Sequence, residues 1–205
     1  MTLSARETSS TRQSIIDAAR NVLMSDGYSG LSTRAVAVAA NTQMSQIRYH
    51  FGSKDGLILA LFDDMTERLI SRQSTVFNDP EIPLSRKWAL SCDFLDQDLD
   101  SGYVRVLQEL IAVGWSNPMV GDAVRASFGQ LRDMHVALAK DLADRIGGLG
   151  PFDPEDVAAL VGSAFIGAEA YLLLGLESDA LPMRRALRRV GDLIAQHEPP
   201  DTAKE

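Results

Sequence analysis

The sequence predicts an all-α protein: an N-terminal three-helix head with a helix-turn-helix, then a C-terminal helical bundle, about nine helices in all. Three observations carry this. Apolar residues recur at helical spacing along the 205-residue chain, with no convincing alternating strand. Three short helical stretches fall within roughly the first 50 residues, with a tight turn between the second and third. Prolines and glycines gather between the periodic stretches, where loops belong.

Taken in order, Ser10-Thr11-Arg12-Gln13 has capping-box spacing and precedes Ile15, Ile16, Ala19, Val22 and Leu23 on one face. Gly27 stands where a helix ends in left-handed geometry. Ser32 or Thr33 can cap a second helix that faces Val36, Ala37 and Ala40 inward. A turn at Asn41-Thr42 leads to a third helix over about 43–50, closed by Gly52. Ser53 caps a long fourth helix reaching about Val76, and NDPEIP (78–83) is a linker. Trp88, Cys92, Leu95 and Leu99 then share a helical face, as do Leu107, Ile111 and Trp115. A longer helix spans about 119–146, with Val120, Val124, Phe128, Leu131, His135, Leu138 and Leu142 in phase. Loop 147–154 precedes two last helices over roughly 155–177 and 182–197. No internal repeat is detected. The organisation expected is a head over 1–52 and a body over 53–205.

Hydrophobic content of 45% and charged content of 23% suit a soluble globular protein. No apolar run approaches the ~18 residues of a membrane span; the most apolar stretch, 158–176, carries Glu169 and three glycines and reads as a buried helix. The N-terminus has no apolar secretory region, and one cysteine, Cys92, permits no intrachain disulfide. The expectation is a cytoplasmic chain without a membrane partner, with Cys92 as a core residue.

Net charge is −8, distributed unevenly. Residues 1–56 hold six basic and four acidic residues, a net +2, which leaves −10 for the rest. Salt screens the acidic body beyond a Debye length of ~8 Å, so a mildly basic head can still approach a polyanion.

The informative stretch is NTQMSQIRYHFGSKDGL, 41–57. At ~100° per residue, Ile47 and Phe51 stack one turn apart toward a core, while Ser45, Gln46, Arg48 and Tyr49 face outward with no acid among them. Such a face suits a major groove, where Arg can fork onto guanine and Gln onto adenine. Early residues of a recognition helix meet base edges and later ones the backbone. That assigns Met44, Ser45, Gln46 and Arg48 to bases, and Tyr49 and His50 to phosphate. Lys54, opening the fourth helix, and Thr33 and Arg34, opening the second, are further phosphate candidates. The competing reading is a solvated polar face.

Residues 10–57 resemble the DNA-binding head of the tetracycline-repressor (TetR) family. The resemblance is carried by IIDAARNVLMSDGYSGLSTRAVA (15–37) and RYHFGSKDGL (48–57), aligned without a gap. Asn41 stands where that family usually has Gly, and Arg48 where it often has Tyr, so a base preference does not transfer. The resemblance implies a homodimer on the inverted repeat of a double-stranded operator, and a small-molecule effector bound in the body.

Beyond residue 60 the likeness is architectural. Gly162, Ala164, Gly167 and Ala168 permit close helix approach, and Met183, Leu187, Val190 and Ile194 form a stripe, so the last two helices can build a dimer interface or pack internally. The basic run RRALRR (184–189) reads as a solvated face rather than a second DNA patch. Candidates for an effector pocket are Trp88, Phe94, Tyr103, Leu107, Leu110, Trp115, Phe128, Leu131, Met134 and His135, residue types that also build ordinary cores.

No catalytic set emerges. H-E-x-x-H, phosphate-loop and G-x-S-x-G patterns are absent, and three scattered histidines with one cysteine suit no metal site. The alternation Asp96, Asp98, Asp100 reads as a solvated helix end. The expectation is a DNA-binding transcriptional regulator, more a repressor than an activator, with no cofactor and no enzymatic activity. The alternative is a helical small-molecule-binding or adaptor protein without DNA binding.

Overall fold

The computed structural model describes residues 3–198. Nine α-helices account for the regular structure among them: α1 (Leu3–Gly30), α2 (Thr33–Ala39), α3 (Met44–Phe51), α4 (Lys54–Phe77), α5 (Leu84–Asp100), α6 (Tyr103–Gly114), α7 (Pro118–Ile146), α8 (Pro154–Leu173) and α9 (Met183–Ala195). Among the described residues they form two compact units, one of residues 3–68 with 101–124, the other of 69–100 with 125–198.

In the first unit α1 packs on α2 and α2 on α3. Ile15, Ile16, Leu23, Val36, Ile47, Leu61 and Phe62 are buried. Phe62 stacks on Tyr103 with ring centroids 5.9 Å apart, and the Tyr103 hydroxyl lies 3.5 Å from Thr66 Oγ1. Ser32 caps α2, its Oγ accepting from Ala35 N at 3.1 Å. Asn41 takes φ 48 in the turn before α3, a conformation that Asn enters more easily than most residues. The helix expected from Ser10 begins instead at Leu3, because neither Gly nor Pro interrupts 3–26. It kinks at Gly27, where φ is 71.

In the second unit α5 lies along α9. Trp88 Nε1 donates to the Leu187 carbonyl at 2.7 Å, and a Cβ on Gly191 would come within 3.2 Å of the indole. Arg184 and Arg188 of the basic run pair with Asp96 at 2.6 Å and Asp93 at 2.8 Å. The aspartates read as a solvated helix end are thus partly engaged: Asp98 is buried and accepts both Arg72 Nη2 contacts, at 2.8 and 2.7 Å. The Arg72 guanidinium also lies 4.3 Å from the Phe94 ring centroid. Cys92 is buried.

One expectation is corrected at α8. This helix is long and apolar enough by composition to cross a membrane, and it is not a buried core helix. Ala158, Ala168 and Glu169 are its buried residues, while Leu160 is 57% exposed and Leu174, just beyond its end, 73%. Helical spacing places apolar groups without stating whether one chain supplies enough surface to cover them.

Candidate nucleic-acid interface and effector cavity

The head is built around α3. Ile47 is 1% exposed, which anchors the helix on its inner side and contributes roughly 2 kcal/mol of burial. Every outward position follows from that anchor. Met44, Ser45, Gln46, Arg48 and Tyr49 are exposed, Tyr49 to 76%, and His50 is half-buried. The Tyr49 and His50 rings meet edge-on at 5.0 Å. Ser45 Oγ donates weakly to Gln43 Oε1 at 3.4 Å, and no carboxylate lies in the first turn of α3.

The junction from α3 to α4 is tight. Gly52 takes φ 73 and donates its N–H to the Arg48 carbonyl at 2.9 Å. Ser53 Oγ accepts from Gly56 N at 3.0 Å, capping α4. A Cβ on Gly56 would fall 2.0 Å from the Phe51 carbonyl oxygen, so only glycine admits this approach. Lys54 is thereby held at an exposed helix start, its Nζ 5.5 Å from the centre of the Tyr28 ring. Tyr28 escaped the sequence reading; its spacing says nothing of a neighbour 26 positions away. Arg12 likewise lies over Phe51, at 5.4 Å. Among the described residues no carboxylate pairs with Arg34, Arg48 or Lys54. Thr33 is half-buried and Arg34 exposed at the start of α2. No ion pair among the described residues neutralises the charge of Arg34, Arg48 or Lys54.

The second unit holds a cavity of about 140 Å³, lined by α5, α7, α8 and α9. Of the expected pocket residues, Trp88 and His135 line it, and Met134 lines an adjoining cleft. The others are elsewhere. Tyr103, Leu107 and Leu110 are buried in the first unit, where Tyr103 stacks on Phe62. Trp115 is 84% exposed beyond the end of α6. Phe94 lies under Arg72, and Phe128 and Leu131 are half-buried outside the lining. Residue type selected these seven, but which helices enclose the space is decided by packing. The lining missed by the sequence includes Phe77, Lys87, Leu138, Leu142, Val161 and Phe165. Burial pushes the His135 pKa below its ordinary value, so the ring is neutral at pH 7. Among the described residues no group of three or more potential metal ligands gathers.

A short helix locked by one buried isoleucine, preceded by a tight turn and presenting polar groups outward, has the arrangement of a helix-turn-helix. Residues 15–61 match the bacterial regulatory proteins of the tetR family. An HTH-type transcriptional regulator of Xanthobacter autotrophicus is 28% identical over 135 residues, covering 63% of this chain and spanning 64% of that protein's length. A TetR transcription regulator from Haloarcula marismortui superposes with a TM-score of 0.75 at 19% identity, covering 92% of this chain and 97% of that one. A regulator from Saccharomonospora viridis solved with choline superposes at 0.74, with 15% identity over 93% of this chain and 97% of that one. The N-terminal head, residues 15–61, is thus similar to the tetR family of bacterial regulatory proteins, and the full chain shares the fold of solved TetR regulators.

Proposed function

We propose that this regulator is a cytoplasmic homodimeric repressor, released from an inverted-repeat operator when a small molecule occupies the body. The observation that carries the DNA reading is the outward face of α3, where Ser45, Gln46 and Arg48 stand exposed beside buried Ile47. In this reading Met44, Ser45, Gln46 and Arg48 meet base edges, and Thr33, Arg34, Tyr49, His50 and Lys54 hold phosphates. Residues 1–52 read DNA, and 53–205 supply dimerisation and effector binding.

Dimerisation is supported by the α8 and α9 surface. Leu160, Tyr171, Leu173, Leu174 and Leu193 are exposed large apolar groups on or beside these helices. A second copy related by a two-fold axis would cover them, as isologous interfaces do. The cavity of the second unit supports the effector. The Saccharomonospora protein, similar in fold, was solved with choline. Binding that favours one body conformation by about 1–3 kcal/mol would weaken operator binding roughly 5- to 150-fold. The adequate test is an electrophoretic shift of the full chain with palindromic DNA selected from a random pool. Enrichment of an inverted repeat is expected; recovery of no preferred sequence would leave the adaptor reading in its place.

A further inference from the structure

We infer that the cavity of the second unit is built for an apolar monocarboxylate, with Lys87 as the group that holds its head. The inference rests on the effector reading above and specifies the class of effector.

Lys87 is only 6% exposed, an unusual position for a residue that is almost never fully buried without a partner. Its Nζ donates to the Phe77 carbonyl at 2.8 Å, which uses one of three donors. Among the described residues no carboxylate pairs with it. Lys87 lines the apolar cavity and also the adjoining cleft, with Phe77 and Leu138 common to both. Asp141 of that cleft is engaged by Arg145 at 3.1 Å. A buried cation with donors to spare is stabilised by an anion, and the described residues leave that place to an outside molecule.

The remainder of the wall sets the body of the ligand. Trp88, Leu138, Val161 and Phe165 present apolar surface, and no acidic side chain lines the cavity. Ser91 is engaged through its hydroxyl, which donates to the Lys87 carbonyl at 2.9 Å. His135, kept neutral by burial, adds a hydrogen-bonding ring without a competing charge. The volume of about 140 Å³ resembles that of a cavity which takes a benzene ring, so the body is of single-ring size or a short alkyl chain. A quaternary ammonium like the choline of the Saccharomonospora protein would instead meet the Lys87 charge.

The test is calorimetric titration of the full chain with phenylacetate, phenylacetamide and choline, repeated with Lys87→Met, which keeps length and removes charge. Phenylacetate is expected to bind at least about tenfold more tightly than the amide, and Lys87→Met to erase that advantage while leaving the amide unchanged. Equal affinities for acid and amide, tighter binding of choline, or an unchanged acid affinity in Lys87→Met overturns the assignment but leaves the cavity as an effector site. Failure of all three probes to bind overturns it outright, and operator binding measured on the same sample reports separately on the DNA reading. Should the variant not fold, the wild-type comparison of acid with amide decides alone.

Discussion

Arg20 of α1 reaches Asp64 of α4 with 2.6 Å between Nη2 and Oδ2, joining two helices 44 residues apart in sequence. Arg68, one turn further along α4, donates to the same carboxylate at 3.0 Å, and Gln13 of α1 at 3.2 Å. Burial alone would raise the Asp64 pKa; the hydrogen bonds from Arg68 and Gln13 and the charges of Arg68 and Arg20 outweigh it and hold the carboxyl below its ordinary 3.8. A depressed folded-state pKa stabilises the fold above the unfolded value, and that contribution fades as pH falls through the folded value. Asp64→Asn is therefore expected to cost about 1–2 kcal/mol at pH 7 and progressively less below pH ~3.8. Urea unfolding of both proteins from pH 7 to pH 3 measures this; a difference that stays constant would refute the linkage.

The two cations of the head are expected to behave differently. Arg48→Ala should cost about 1–3 kcal/mol of operator binding and blur preference at one base pair. Lys54→Ala should weaken all sequences alike and flatten the salt dependence by about one unit of slope. Titrations of selected and scrambled DNA at several salt concentrations separate these outcomes.

Leu160→Glu and Leu193→Glu place charges on the exposed apolar surface of α8 and α9. Each is expected to shift sedimentation from dimer toward monomer, while helical circular dichroism is retained. A dimer that tolerates both would move the interface elsewhere.

His135 is kept below its ordinary pKa by burial. Its neutral form stabilises the folded state above pH ~6.5, and that contribution is lost as pH falls toward the depressed folded value. The wild type should therefore lose stability more steeply than His135→Leu as pH falls below ~6.5. Parallel slopes for the two proteins would contradict a buried neutral ring.

Cys92 is 4% exposed, and burial pushes its thiol up to about 11. Since the thiolate is the reactive form, an aromatic disulfide reagent at pH 8 should modify it only on unfolding. Stoichiometric modification of the native protein within minutes would show an open route to α5.

Much of the head was legible from order alone. The run from Ile15 to Leu23 at helical spacing, the Ser32 cap, the Asn41 turn and Ile47 opposite Ser45 and Tyr49 are local relations, and a helix converts such spacing directly into facing. The same rule fixed which α3 residues are exposed, because one buried side chain sets the azimuth of its neighbours. Local order could not reveal that Tyr28 lies beneath Lys54, or that Arg20 and Gln13 meet Asp64, since these pairs depend on how helices cross.

The body shows the limit more sharply. Helical phase found Trp88 and His135 but also chose Tyr103, Leu107 and Leu110, which fill the other unit, and Trp115, which is 84% exposed. Nor could it distinguish a helix covered within the chain from one left open, as α8 is. Sequence by itself determined the helical class, the order of the elements and the outward chemistry of α3, because each follows from backbone periodicity over a few turns. The tertiary structure alone decided which side chains enclose the cavity, where Lys87 lies buried with no carboxylate pairing with it among the described residues, and which apolar face lies exposed. Those depend on contacts between distant segments, whose spacing along the chain carries no distance in space.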